Sequence, residues 1–393
     1  MRVHIIGAGI GGLAAAIGLQ RAGATVTVYE RASELTMPGS GLSVFPNGLA
    51  ALDAIGVGDD FRSISTGDGA LLRAGQRRPD GRWLATIPSD AVAGLRVVHR
   101  ADLHDLLARS LESGTIRLGA SVTRTSEDGT RLWVQEDSGE TEVESDLVVA
   151  ADGIRSRTRA GWPGDPGLRY AGYAAWRGVT DGPVDLTGEA GETWGHGLRF
   201  GMAPLADGRV YWFAVATMPA DAQIPDEFER VRELFGRWHD PIPSLLDATD
   251  PGTVFRLPIH DLARPIPSFR RGRTVLLGDA AHAMTPDLGQ GGGQALEDAA
   301  TLAVLLGAVA ASAVPDAAAM DRALNAYDQL RRKRTQPIAL ASRMVGALAH
   351  VRGGLAVGLR DLALRATPSA VLRKQALSVQ VWQPPSASVE PAA

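Results

Sequence analysis

Two clusters of glycines and polar residues lie some 270 residues apart in a chain of 393. The first is Ile5-Ile6-Gly7-Ala8-Gly9-Ile10-Gly11-Gly12, which continues the β-branched run from Val3. Such a run ending in glycine reads as a buried parallel strand. Gly7 permits a tight turn, Gly9 lets the backbone approach a pyrophosphate, and Gly12 lets the following helix pack closely on the strand. Leu13 to Ala22 is Ala/Leu-rich and free of proline, a helix whose N-terminal N–H groups face phosphate. Ala24 to Tyr29 is the next strand, and Glu30 at its end stands 21 residues after Gly9. An acid there accepts hydrogen bonds from ribose hydroxyls and disfavours a 2′-phosphate. A glycine-rich turn without a ligand is the bland alternative, but strand, glycines, helix, strand and acid in register favour a dinucleotide.

The second cluster is Leu277-Gly278-Asp279-Ala280-Ala281-His282, running on through Pro286 to Gly289-Gln290-Gly291-Gly292-Gly293. A nicotinamide dehydrogenase has no use for it. In this order the two clusters describe an enzyme holding FAD extended, its AMP end near the N-terminus and its flavin end near residue 290.

Composition narrows the chemistry. The absence of cysteine excludes disulfides, thiolate catalysis, iron–sulfur clusters and Cys-bound zinc. The eight histidines form no HxH or HxxxH pair, so no metal is expected. Net charge is −4 with no long charge run, so neither nucleic acid nor an anionic membrane is expected as partner. The strand begins at residue 2, so no signal peptide is expected, and the protein is read as cytoplasmic. Ala299 to Val314 is short for a membrane span, and Ile338 to Leu359 is interrupted by Arg343, His350 and Arg352. Both read as buried helices, with no stable membrane insertion.

The elements that must position the two clusters form an α/β fold: a Rossmann-like domain, an inserted antiparallel sheet and a helical C-terminus. Leu95 to His99 is a strand, Arg100 marks a boundary, and Ala101 to Glu112 is a helix with Asp102 placed to help cap it. Leu147 to Ala150 is a strand leading into Asp152-Gly153. From about Tyr170 to Phe269 period-2 strands and turn signals dominate, a second domain. Arg273 to Leu277 then restores a buried strand. The expected cofactor domain is therefore discontinuous (1–70, 95–165 and 270–335), with a substrate domain (71–94 and 166–269), C-terminal helices (336–382) and a disordered tail (383–393).

Three motifs in this order resemble the single-component FAD-dependent aromatic hydroxylases of the p-hydroxybenzoate and salicylate hydroxylase type. They are Gly7 to Gly12, the "DG" segment Asp152-Gly153-Ile154-Arg155-Ser156-Arg157-Thr158-Arg159, and the "GD" segment from Gly278 through Gly291. Gly172-Tyr173-Ala174-Ala175-Trp176-Arg177-Gly178 looks like the smaller bacterial members. The resemblance implies that FAD is held by Gly7, Gly9, Ile10, Gly11, Gly12, Glu30, Arg31 and Ser43, by Arg100 near the pyrophosphate and Asp279 at the ribityl chain. Pro286, Gly289, Gly291, Gly292 and Gly293 would meet the flavin. A helix N-terminus aimed at the flavin N1–C2=O edge stabilises the anion of the reduced ring, and glycines leave room for it. Many members have Asn at the position of Gly293; binding is expected to survive the change, with some loss of side-chain support.

The activity so implied is that of a monooxygenase: NADPH or NADH binds transiently and reduces FAD, O₂ gives a C4a-hydroperoxide, and an aromatic or other electron-rich carbon is hydroxylated or epoxidised. The substrate is expected to be a small aromatic or natural-product molecule, met by a monomer or homodimer. Few charges are obvious in the strands that would line the pocket, which favours a neutral substrate. Arg199 and Tyr211, on neighbouring strands, are the candidate catalytic side chains; a solvated Arg and a core Tyr are the alternatives. Arg177 reads as an ion-pair partner and His282 as a structural hydrogen-bonder. A halogenase is disfavoured because no lysine precedes Lys333 and no WxWxIP motif is present. An isoprenoid-type reductase and a flavin-binding protein without turnover are the remaining alternatives.

Overall fold

A computed structural model describes residues 1–35, 39–67, 72–312 and 316–386. The apolar run at the N-terminus forms the strand Arg2–Ile6, buried from Val3 onward. It pairs in parallel with Thr25–Tyr29 on one side and Leu147–Ala150 on the other. Thr274–Leu276 extends the sheet beyond Leu147–Ala150, and Ile116–Arg117 extends it beyond Thr25–Tyr29. Because the sheet is covered on both faces, its strands carry apolar side chains at nearly every position rather than at alternate ones. The helices Ile10–Arg21 and Gly291–Ala310 pack together against it, close enough that a Cβ on Gly18 would meet Ala303 at 2.7 Å.

The second sheet has seven strands, in the order Phe255–Leu262, Leu168–Val179, Val210–Thr217, Leu198–Pro204, Gly191–Trp194, Ala74–Arg77, Trp83–Ile87. Its neighbours are antiparallel except where Gly191–Trp194 meets Ala74–Arg77. Alternation sorts its two faces. Trp176, Phe200, Met202, Trp212 and Ala214 turn to one side, where Phe228, Val231 and Phe235 of the helix Glu227–Phe235 cover them. Tyr173, Arg177, Arg199, Tyr211 and Phe213 therefore turn to the other, toward the first domain. Tyr211 and Phe213 thus lie on the face opposite Trp212, as the period-2 alternation of a single strand requires.

Local differences from the sequence reading have simple causes. The helix after the strand Arg96–His99 begins at Arg100 with no side-chain cap; Asp102 lies inside its first turn, where it meets the helix dipole instead. Residue 336, read as a domain edge, lies within one continuous helix, Ala317–Ala349. Ile338 to Leu359 does not form one buried helix. It covers the end of that helix and the start of a second, Gly354–Ala366, and both leave leucines in solvent. Among the described residues one helix, Gly291–Ala310, is long and apolar enough to cross a membrane, and it lies largely inside the fold. Residues 387–393 of the expected disordered tail lie outside the described residues.

The two long helices are joined by charge rather than by leucine. Arg331, fully buried, donates to Glu297 Oε2 at 2.6 Å and Asp298 Oδ1 at 2.5 Å, and to the backbone and side-chain oxygens of Gln294. Arg334 adds a second donor to Glu297 at 3.1 Å. Removing one partner of such a cluster leaves carboxylates buried without compensation, which costs about 3–5 kcal/mol. Arg331→Ala should lower the unfolding free energy by that amount in a urea titration; a loss under about 1 kcal/mol would mean the helices are held by packing alone.

Candidate active site

At the dinucleotide end the glycines are steric necessities. A Cβ on Gly12 would sit 2.1 Å from Gly7 O, and one on Gly7, at φ +99, would sit 2.6 Å from Ala151 O. Gly11 is closed off likewise by Leu277 at 2.7 Å, whereas a Cβ on Gly9 would meet nothing within 4 Å. Open space at Gly9 alone, before a helix with no side-chain cap, is what an approaching pyrophosphate requires. Ile10, buried, opens that helix. Glu30 accepts from Ala8 N through Oε2 and from Ala32 N through Oε1, both at 3.0 Å. Each carboxylate oxygen keeps a lone pair for a ribose hydroxyl. Arg31 is exposed, and the Ser43 side chain makes no hydrogen bond among the described residues.

The DG and GD segments hold each other. Asp152 accepts from Thr158 N and Oγ1 at 3.2 Å, and Ser156 caps the short helix Arg157–Ala160. That helix carries Arg159, which donates to Ala280 O at 3.1 Å and Ile154 O at 2.7 Å and pairs with Asp165 at 3.0 Å. Asp279 is thereby fixed through its neighbours while its own carboxylate stays exposed and without a hydrogen bond among the described residues. His282 is buried below the loop, 2.7 Å from Asp298 Oδ2, which also accepts from Gly278 N at 2.8 Å. Burial alone would raise the Asp298 carboxyl; His282 and Arg331 more than reverse this and hold it below the usual range. His282 is thus the structural residue its position suggested.

The loop closes with the turn Pro286–Leu288, with Pro286 exposed, and a left-handed Gly289 at φ +63. The helix Gly291–Ala310 then starts without a side-chain cap or an acid in its first turn. The N–H groups of Gly291, Gly292 and Gly293 have no acceptor within the helix, and a Cβ on Gly291 would meet nothing within 4 Å. At Gly293 the room is already taken. Asn47 Nδ2 lies 3.2 Å from where a Cβ would be, held by Gln290 Oε1 at 3.0 Å and Glu297 Oε1 at 2.7 Å. An amide from a different helix fills the space that an Asn side chain at 293 would need. Open space at Gly9, spare acceptors at Glu30 and Asp279, and bare donors at Gly291 fit FAD.

Both candidate side chains of the second domain are buried on the inward face of the sheet, and Arg199 reaches this loop. Arg199 is buried and donates to Glu192 at 2.7 Å and to Asp287 of the Pro286–Leu288 turn. Burial would lower its guanidinium, but the two carboxylates override this and raise it. Tyr173 donates to Asp287 Oδ2 at 2.6 Å and stacks on His350, ring centroids 4.0 Å apart. Burial and the Arg199 charge push His350 down to about 4, so its ring is neutral. Tyr211 packs its ring on the backbone of Gly41, where a Cβ would come within 2.4 Å. Burial raises its phenol, and the charges of Arg177 and Arg100 oppose the rise.

Arg177 corrects the sequence reading. It has no ion pair, and neither it nor Arg100 donates a side-chain hydrogen bond among the described residues; the Nε atoms of both are buried and unpartnered. Burial, aided by the Arg177 charge, lowers the Arg100 guanidinium against the pull of Asp279. Nor are the strands short of charge, since Arg177, Arg199 and Glu192 all turn inward. Asp287, Glu192, Tyr173 and His350 were not singled out in the sequence. Asp287, between Pro286 and Gly289, and Tyr173, between Gly172 and Gly178, sat in segments already marked.

The FAD binding domain family matches residues 1–341. The chain is 35% identical over 379 residues to aurachin C monooxygenase/isomerase of Stigmatella aurantiaca, covering 93% of this chain and 94% of that one. It is 34% identical over 367 residues to the FAD-dependent urate hydroxylase of Klebsiella pneumoniae, covering 89% and 91%. The crystal structure of Klebsiella pneumoniae HpxO complexed with FAD and uric acid superposes with a TM-score of 0.84 at 30% identity, over 97% of this chain and 96% of that one. A glycine cradle shaped for FAD, the DG and GD segments locked together, and relatives matched over nearly their whole length make this chain a member of the FAD-dependent monooxygenases of the aromatic hydroxylase family, using NAD(P)H and O₂.

Proposed function

We propose that the enzyme oxygenates an aromatic or heteroaromatic substrate carrying an ionised group, a carboxylate, phenolate or enolate, and that Arg177 and Tyr211 hold that group. The observation behind this is Arg177, without an ion pair among the described residues, which stands opposite Phe213 and diagonal to Tyr211 on the inward face of the sheet. Arg177 is half-buried, with its Nε enclosed and without a partner among the described residues, and an anionic ligand would supply that partner. Tyr211 can donate its phenolic proton to the same group. Arg100 stands nearer the dinucleotide loop, since its helix bonds back through His104 Nε2 to Ala8 O at 2.6 Å, and is assigned to the cofactor's phosphates. FAD, once bound, supplies the oxygen-activating chemistry. The chain's own task is to orient the substrate's electron-rich carbon and keep water out. The enzyme is placed in the cytoplasm, as a monomer or homodimer.

Arg199 is a positioning residue in this scheme. Its contacts are Glu192 and Asp287, so it acts on the flavin through the turn that follows Pro286 rather than by touching substrate.

Two experiments test these roles. A substrate screen scored by stimulated NAD(P)H oxidation and product mass should favour acids over their neutral amides or esters. With an active acid, Arg177→Ala should raise KM roughly 10–150-fold with little change in kcat, the loss of one charge-assisted contact. Neutral analogues stimulating as well as acids would refute the assignment. Arg199→Ala leaves two carboxylates unpaired beside the loop, so FAD affinity should fall roughly tenfold. At saturating FAD the variant should still release more H₂O₂ per NAD(P)H consumed. Unchanged coupling would restrict Arg199 to a structural role.

A further inference from the structure

The helix Gly354–Ala366 is built inside out. Its buried face carries an ion pair: Arg360, 3% exposed, donates to Asp361, 6% exposed, at 2.8 Å. Arg360 also donates to Gly195 O at 3.0 Å and Ala349 O at 3.3 Å. The outer face carries Leu355, Leu359 and Leu362, spaced i, i+4, i+7, at 82%, 60% and 64% exposure. The last turns of the preceding helix repeat the pattern with Leu340 and Met344, 57% and 65% exposed. Scattered exposed leucines need no explanation, but a helix that turns its charges inward and its leucines outward is shaped for an apolar partner.

Charge identifies the partner. Between Gln336 and Ser386 the chain has six basic residues and one acid, Asp361, in a protein of net charge −4. That acid is buried, while Arg352, Arg365, Arg373 and Lys374 are exposed. Arg365 and Lys374 have no ion pair among the described residues, and Arg373 has only the surface pair with Asp90. A second copy seated face to face would set these cations against their own counterparts. An anionic lipid surface satisfies both features at once, its headgroups meeting the cations and its acyl boundary the leucines.

We propose that the C-terminal helices dock this enzyme on anionic membrane surfaces, with Leu355, Leu359 and Leu362 entering the interface and Arg365 and Lys374 meeting headgroups. The docking is peripheral: no segment spans the bilayer. It rests on the helices alone and holds whatever substrate the active site takes.

The FAD-loaded, full-length protein should be floated with vesicles of phosphatidylcholine alone or mixed with phosphatidylglycerol. Binding is expected only to the mixed vesicles and should fall as salt is raised. Leu355→Ser/Leu359→Ser/Leu362→Ser should weaken it at least roughly hundredfold, and removing each of Arg365 and Lys374 as glutamine about fivefold. Flavin content and melting temperature should stay as in the parent, since these side chains are in solvent. Absence of binding to mixed vesicles at low salt, or equal binding by the triple variant, overturns the proposal. So does a dimer, seen by light scattering, that the triple serine variant abolishes while vesicles are ignored.

Discussion

One buried cation, Arg331, holds the flavin loop to the rest of the protein. It joins Glu297 and Asp298 across two helices, and through them reaches Asn47 and Gln294 on one side and His282 and the Gly278 amide on the other. Glu297, Asp298, Asn47 and Gln294 lie under the loop from Gly278 to Gly293, and His282 and the Gly278 amide are the points at which the loop itself is tied down. The loop has to present bare N–H donors and open space, so it cannot carry side chains that would stiffen it. Rigidity is supplied from beneath, by an ionic network that is expensive to bury and therefore sensitive to geometry.

A second polar cluster performs the same service from above. Asp287 is the one acid in the Pro286–Leu288 turn, and Arg199 and Tyr173 both reach it from the seven-stranded sheet. The sheet thus has a divided character. Its outer face is an ordinary aromatic core of Trp176, Phe200 and Trp212, and its inner face carries charges that pair with the loop or, at Arg177, have no ion pair among the described residues.

Much of this was legible in advance, and what was legible has a common physical basis. Glycine requirements, strand-to-helix switches and the alternation that set Tyr211 opposite Trp212 are local, and neighbours in sequence report them. Pairings between distant charges are not local. Nothing near Arg199 announces a partner 88 residues away at Asp287, and Arg177 was given an ion pair that the fold does not make. Glu297 and Asp298 were adjacent acids in an otherwise apolar helix, a signal that could have prompted a search for a buried cation. Gly293 looked like a loss of side-chain support until Asn47 was seen to fill the space. The leucines of Gly354–Ala366 had the spacing of a core face; spacing defines a stripe but not which way it turns, and there Arg360 and Asp361 took the inner side.

The bond between Arg199 and Asp287 also bears on how a substrate gets in. Swinging the sheet away from the flavin loop would leave Arg199 with Glu192 but strand the Asp287 carboxylate in a half-open crevice, at a cost of about 3–5 kcal/mol before any contact with the incoming molecule. A gate built that way would be closed nearly all the time. The contact between Arg199 and Asp287 therefore acts as a clamp, and it holds the sheet and the flavin loop at a fixed separation.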